Sequence, residues 1–382
     1  MTSTFESEFH AATRSADSRE LPVAAPGSED EARDLLRFAA KDGLRVLPRG
    51  NGTSLRLEEP GRRADFVIDT TQLAGVIAFE PSDGTVTAFA GTTMASLAEL
   101  AAGSGRRLAP DLAHTTSTLG GAIASGRTGE DRLRYGPMRD QVLGLRALLS
   151  ADISSKSGGR LVKNVAGYDL HRAHCGGRGQ YGLIVEATLR LHPALPKELH
   201  LKRSFDSLEV AIERGNQVLA TTCRPLSIRV WHDDNETSLH IHLGGREDVV
   251  EAEHKLLESA LGDLQVTLPR TKPQTRIRLD SPISQTIAAV KWIETLRQAS
   301  LVGGHKPGPL IADLGIASVS FACDPTTDSI PGHSPNDAAL QALPTGAHLF
   351  GPSHSKSRRA SAVGALESRI EAGLDPLGIF AR

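Results

Sequence analysis

The spacing of apolar positions changes several times along this chain, and each change marks an element. In "SEDEARDLLRFAAKDG" (Ser28–Gly43) apolar residues recur at a helical interval behind a polar start. Ser28 followed three residues later by Glu31 is a capping box and Gly43 is a stop, so the stretch predicts an amphipathic helix. The apolar run Leu44–Leu47 predicts a strand, "LPRGNGTSLRL" a glycine loop and "FVIDT" (Phe66–Thr70) a second strand. In "GVIAFEPSDGTVTAFAG" two apolar runs flank Pro81-Ser82-Asp83-Gly84, the pattern of a hairpin. Helical spacing returns from Thr93 to about Ala102, through Met94, Leu97 and Leu100.

The middle of the chain is rich in glycine, in "STLGGAIASGRTG" (Ser117–Gly129), "SGGRLVKNVAGYD" (Ser157–Asp169) and "CGGRGQYGLIVEATLRLHP" (Cys175–Pro193). Glycines recur where apolar strands begin, which implies backbone packed closely against something. After Pro196 the texture becomes that of a separate antiparallel α+β unit: helix, two strands ("LSIRVWH", "SLHIHL"), helix, strand over 197–270. Residues 270–345 are loop-rich and carry no clear pattern. A helix is predicted from about Ser357 to Ala372, followed by "LDPLGIF". The expected division is a polar arm at 1–26, a glycine-rich domain at 27–196, an α+β domain at 197–356 and a tail at 357–382.

Length agrees with that division, since 382 residues exceed the usual size of a single core. A hydrophobic content of 39% and a charged content of 23% place the chain among ordinary globular proteins. The net charge of −2 gives no long-range attraction to nucleic acid or an anionic membrane. Cys175, Cys223 and Cys323 lie far apart with no Cys-x-x-Cys pair, which excludes a self-contained iron–sulfur or structural zinc cluster and suits a reducing, cytoplasmic compartment. The first twenty residues do not resemble a signal peptide. No apolar run reaches the roughly 20 residues needed to cross a bilayer, so direct membrane insertion is not expected.

The glycine loops hold the candidate chemistry. Gly50-Asn51-Gly52 follows a strand, but the dinucleotide fingerprint needs glycine where Leu55 stands, and no Gly-Lys-Ser/Thr closes a P-loop. Taken singly the loop reads equally as a turn between strands. Several such loops converging in space would line up backbone N–H groups into an anion-binding concavity. Thr53, Ser54, Ser117 and Thr118 would add hydroxyls, and Arg49 charge.

In order, "PRGNGTS", "STLGGAIASG", "RYGPMRDQVLGLRALL", "GGRLVKNVAGYDL" and a Gly-x-x-Gly-Leu-Ile turn resemble the FAD-binding subunits of bacterial glycolate oxidase, within the vanillyl-alcohol-oxidase type of flavoprotein. The resemblance spans roughly residues 20–196 and returns at "LDPLGIF". It implies an α+β fold: a two-subdomain FAD-binding domain followed by a smaller antiparallel α+β C-terminal domain. It implies that Pro48, Arg49, Gly50, Asn51, Gly52, Thr53 and Ser54 form a first phosphate loop for FAD, and that Ser117 and Thr118-Leu119-Gly120-Gly121 form a second. Gly126 and the backbone of Ile184 and Val185 would lie along the adenosine and flavin portions. Residues 49–57 lack the histidine that bonds covalently to flavin in some relatives, so non-covalent FAD is implied. Where relatives carry Gly-Ser-x-Gly-Thr-x-Gly, this chain has Gly176-Gly177-Arg178-Gly179-Gln180-Tyr181-Gly182, with both hydroxyls gone.

For catalysis, Lys163, Asn164 and Tyr168 in "KNVAGYD" are candidates for a flavin-facing shell; the alternative is a hydrogen-bonded loop that shapes the cavity. The His-x-Gly-Asp-Gly-Asn motif of related 2-hydroxy-acid flavoproteins is absent. His240 and His242 alternate on one strand face, with His232 near, but read better as a solvated face, so no metal is expected. The resemblance then implies an FAD-binding subunit of a glycolate-oxidase-like complex that oxidises a small 2-hydroxy acid beside a sister flavoprotein subunit and an iron–sulfur subunit, possessing an exposed apolar patch for its partners. Two alternatives stay open: a stand-alone FAD-dependent dehydrogenase of another small hydroxylated substrate, and a non-catalytic assembly subunit with a decayed flavin pocket.

Overall fold

In the computed structural model the described residues are 21–54, 64–110, 116–159, 169–269, 277–280, 286–302, 308–316, 318–321, 348–350, 355–357, 375 and 378–380. They form three sheets. The first is a parallel three-stranded sheet of β1 (Val23–Ala24), β2 (Val46–Arg49) and β3 (Phe66–Asp69), in the order β1-β3-β2. Helix α1 (Glu29–Asp42) joins β1 to β2, as the capping box predicts: Ser28 accepts from Glu31 N, Gly27 N donates to the Glu31 carboxylate at 2.8 Å, and Gly43 closes the helix at φ 64°. Leu44 N still bonds Ala39 O in that closure, so β2 starts at Val46 rather than at Leu44. At the other end of the sheet, Asp69 caps a short 3-10 turn (Thr70–Gln72), which ends β3 one residue before the predicted Thr70.

The second sheet runs β4 (Val76–Glu80), β5 (Thr85–Phe89), β9 (Leu183–Pro193), β7 (Val142–Leu148), β8 (Ser154–Gly158), with β6 (Arg106–Leu108) on the far end of β9. β4 and β5 are the predicted hairpin. Between these strands lie α2 (Met94–Ala102), capped by Thr93, then α3 (Leu119–Ser125), α4 (Arg132–Tyr135), α5 (Met138–Gln141) and α6 (His171–His174). One face of this sheet buries Val86, Ala88, Leu145, Ala187 and Leu189 under α2 and α3. Near the other face, Leu148, Leu183 and Val185 pack with α1 and the parallel sheet. The chain's end joins this second core: Val46 N donates to Ile379 O at 2.6 Å, Val46 and Phe380 form a parallel bridge, and the buried Asp375 carboxylate accepts from Ile379 N and Phe380 N.

The change of sheet falls between Pro193 and Lys197. The third sheet is antiparallel with nine strands: β10 (Lys197–Phe205), β11 (Ser227–His232), β12 (Thr237–Gly245), β13 (Gln265–Thr267), β14 (Ile277–Asp280), β15 (Leu310–Asp313), β16 (Ser318–Phe321), β17 (His348–Phe350) and β18 (Ser355–Ser357), in the order β13-β10-β12-β11-β15-β16-β14-β17-β18. Helices α7 (Leu208–Leu219), α8 (Glu247–Leu261) and α9 (Thr286–Val302) cover one face over Leu201, Ile228, Val230, Leu239, Ile241 and Phe321. β10 precedes the first helix that the pattern predicts, and Ser357 ends a strand; the rest of the expected C-terminal helix lies outside the described residues. Among those residues no helix is long and apolar enough to cross a membrane.

Phe380 is 1% exposed in the core shared by α1 and both neighbouring sheets. Phe380→Ala is expected to cost about 3 kcal/mol, measured as a lower urea midpoint of the purified chain.

Candidate functional site

The geometry of the glycine loops starts at the end of β2. An added Cβ on Gly50 would overlap the Thr118 hydroxyl and stand 3.1 Å from the Thr118 Cβ and Cγ2, so glycine is needed for the loop to reach the start of α3. Two further bonds fasten the segments: Asn51 Nδ2 donates to Thr116 O at 2.7 Å, and the Thr53 and Ser117 hydroxyls share a hydrogen bond at 3.0 Å. From the other side Arg127 Nη1 donates to Thr53 O at 3.2 Å and to Ser54 Oγ at 3.0 Å. Among the described residues the backbone N–H groups of Asn51, Gly52, Thr53 and Ser54 meet no protein acceptor.

The start of α3 is arranged differently. Leu119 N donates to Thr92 O and Gly120 N to Ala90 O, both at 2.8 Å, and Gly121 N to the capping hydroxyl of Thr118 at 3.2 Å. Those N–H groups dock the helix on the end of β5, which leaves the hydroxyls of Ser117 and Thr118 as the polar groups this segment turns toward the first loop. Arg49 also has a local partner, Asp69, at 2.9 Å. Burial works to raise the Asp69 carboxyl, but bonds from Thr71 and Arg49 outweigh it and hold the group below the ordinary aspartate value.

The third glycine segment grips the other end of α3. Gly176 N bonds Ile123 O at 3.0 Å and Arg178 N bonds Ala124 O at 2.7 Å, next to the left-handed cap at Gly126. A Cβ on Gly179 would touch Pro48 Cγ at 3.4 Å, so this loop reaches back to the end of β2. Gly177, where relatives carry serine, has no room for a side chain: its Cβ would lie 2.6 Å from Tyr181 Cδ2 and 2.9 Å from Ala173 O. In this chain the Tyr181 ring fills the space a side chain at Gly177 would need.

The three glycine segments thus meet around one seven-residue helix. Ile184 and Val185 stand beside it in β9 with side chains committed to the two cores, and Val185 O accepts Ala90 N at 2.8 Å. Lys163, Asn164 and Tyr168 lie outside the described residues. Arg127 escaped the sequence reading because a single arginine in "SGRTG" gives no sign of its reach to Thr53.

On the side of the C-terminal sheet opposite its helices, polar side chains face the 107–135 region. Arg229 is 5% exposed and bonds Asp313 at 2.8 Å and Glu130 at 2.7 Å. Arg107 pairs with the buried Asp131, and Arg134 donates to Gly244 O. The three histidines of β11 and β12 each have a separate partner: His232 bonds Thr237 at 2.8 Å, His240 bonds Ser238 at 3.0 Å, and His242 bonds Glu198 at 2.8 Å.

Comparison with known proteins accords with this geometry. Residues 21–152 match the family model described as an FAD binding domain. Over 94% of this chain, and 75% of the other, the fold superposes on a solved alkyldihydroxyacetonephosphate synthase with a TM-score of 0.68 at 16% identity. Residues 21–152 thus carry an FAD binding domain, and the fold is that of the vanillyl-alcohol-oxidase type of flavoprotein. Within that class it is similar to glycolate oxidase subunit GlcD of Bacillus subtilis, 27% identical over 54% of this chain and 44% of that one. It is similar to D-lactate dehydrogenase of Archaeoglobus fulgidus, 30% identical over 50% and 43%. With glycolate oxidase subunit GlcE of Escherichia coli it shares 29% identity over 64% of this chain and 77% of that one. The matched region spans less than half the length of the first two relatives.

Beside the glycine segments, His174 has an Nε2 with no acceptor among the described residues. Burial pushes its pKa down to about 4, with the His171 charge as a lesser cause. The folded state refuses a proton that the unfolded chain accepts near 6.5, so stability is full above that value and falls as pH drops toward 4, by about 3 kcal/mol in total. His174→Leu is expected to flatten the loss of stability between pH 6.5 and 4, followed by urea unfolding at each pH.

Proposed function

We propose that this chain is the FAD-binding subunit of a glycolate-oxidase-like complex, acting in oxidation of a small 2-hydroxy acid. The observation that carries the flavin site is the run of N–H groups at Asn51–Ser54, unmatched among the described residues and set beside the Thr53, Ser117 and Thr118 hydroxyls. An FAD pyrophosphate fits such a cradle, because successive backbone donors bind anions without a lysine. Pro48 to Ser54 and the hydroxyls of Ser117 and Thr118 would hold it, with Leu119, Gly120 and Gly121 docking the helix instead and Arg127 stiffening the first loop and adding charge. Gly126, Ile184 and Val185 would border the rest of the cofactor, and Lys163, Asn164 and Tyr168, outside the described residues, remain the sequence's candidates for a flavin-facing shell. FAD, when bound, would supply the oxidising equivalents. The protein's own contribution is to fix the cofactor and exclude water. With no histidine at 49–57, attachment is non-covalent.

The match over 77% of GlcE, an oxidase subunit, against 43% of the D-lactate dehydrogenase, supports a subunit over a stand-alone dehydrogenase. Electrons would pass to an iron–sulfur partner and substrate would be shared with a sister flavoprotein subunit. Val266, 64% exposed on the outermost strand β13, and the neighbouring Leu268, 83% exposed, offer apolar surface for such partners.

The purified chain is expected to be yellow and to release FAD near one per chain on denaturation. A colourless chain that also leaves added FAD unbound would refute the flavin-binding reading.

A further inference from the structure

The sheet face turned toward the 107–135 region carries a group of side chains that the flavin site leaves unused. His200 in β10 and His242 in β12 are directly opposite in the antiparallel register, and their rings stack with centroids 3.9 Å apart and 17° from parallel. Glu198, two residues before His200, shares that face by alternation, and its Oε2 is 2.8 Å from His242 Nε2. One ligand atom from each of the three side chains lies within 4.8 Å of the other two. Behind His242, the buried Asp131 carboxylate stands 3.8 Å from Nδ1. We propose that Glu198, His200 and His242 form a binding site for a divalent transition-metal ion of the zinc class, with the charge of Asp131 beside His242.

Two imidazoles and a carboxylate are a donor set that such ions take, with a further position left open. Both histidines are anchored on paired strands, so little side-chain freedom is lost on binding. At 3.8 Å from Nδ1, the Asp131 carboxylate acts on His242 through its charge. Arg107 is the opposing charge, 3.8 Å from Glu198 and paired with Asp131. Glu198 and Asp131 outweigh Arg107, and the charges of the Glu130–Arg229 pair nearby offset each other, so the site keeps a net negative charge. Glu198 is 42% exposed, which gives an ion an entry path and lets the carboxylate shift to admit it. The site joins β10 and β12 to Asp131 of the preceding domain, so a bound ion would brace the contact between the two. This proposal does not rest on the flavin reading, since it is read without turnover.

The test is zinc titration of the full chain, saturated with FAD, by calorimetry against a competing chelator. One zinc per chain is expected. His200→Ala, His242→Ala and Glu198→Gln should each weaken it by about tenfold or more, while His240→Ala should leave it unchanged. Cobalt in place of zinc should give visible d–d bands that His242→Ala abolishes. Glu198 is exposed, so E198Q serves if a histidine variant fails to fold. No binding by the natural chain, or the same affinity in E198Q and the histidine variants, would overturn the site.

Discussion

The Thr118 hydroxyl occupies the place where any side chain on Gly50 would begin, and the same oxygen accepts Gly121 N–H to cap α3. The loop after β2, the start of α3 and the end of β5 are therefore one packed unit. Each neighbouring feature follows from that contact. Asn51 can reach Thr116, Thr53 can reach Ser117, and the N–H groups of Asn51 to Ser54 meet no acceptor among the described residues. The opposite end of α3 is fixed by Gly176 and Arg178, whose loop returns to Pro48. A seven-residue helix has little stability of its own. Here it is held by backbone bonds from strands and loops at both ends, which makes it a rigid centre for a cofactor site.

Much of this was legible in the sequence because the governing signals are local. The capping box at Ser28, the hairpin at Pro81–Gly84 and the helix after Thr93 each follow from residues a few positions apart. The glycine segments were legible as close approaches, but their partners were not, since nothing in "GNG" names Thr118 as the group it must clear. The work assigned to α3's first N–H groups was hidden for the same reason: their acceptors, Ala90 and Thr92, lie almost thirty residues away in sequence. Gly177 is the converse case: the Tyr181 ring that leaves it no room lies only four residues on, yet nothing in the sequence says that the two touch.

The C-terminal sheet was the least legible part. In "KELHLKRSF" Leu199 and Leu201 alternate with Glu198, His200 and Lys202, but so short an alternation between charged residues does not announce a strand. Without β10 the pairing of His200 with His242 is invisible, and the histidines of β12 look like a solvated face. The strand also changes the character of the sheet. One face carries the apolar core under α7, α8 and α9, and the other presents Arg229, Asp313, His200 and His242 toward the flavin domain. The polar face is matched by charged partners in the FAD-binding half, Glu130 for Arg229 and Arg107 for Glu198.

The most direct measurement is the affinity of the chain and of its Gly50→Ala variant for FAD and for riboflavin, which lacks the phosphates, by flavin fluorescence titration. If the Gly50 loop holds the pyrophosphate, the natural chain binds FAD far more tightly than riboflavin, and the substitution lowers FAD affinity by about tenfold or more while riboflavin binding stays as it was. Equal affinity for the two flavins, or an equal loss of both in the variant, would contradict the account.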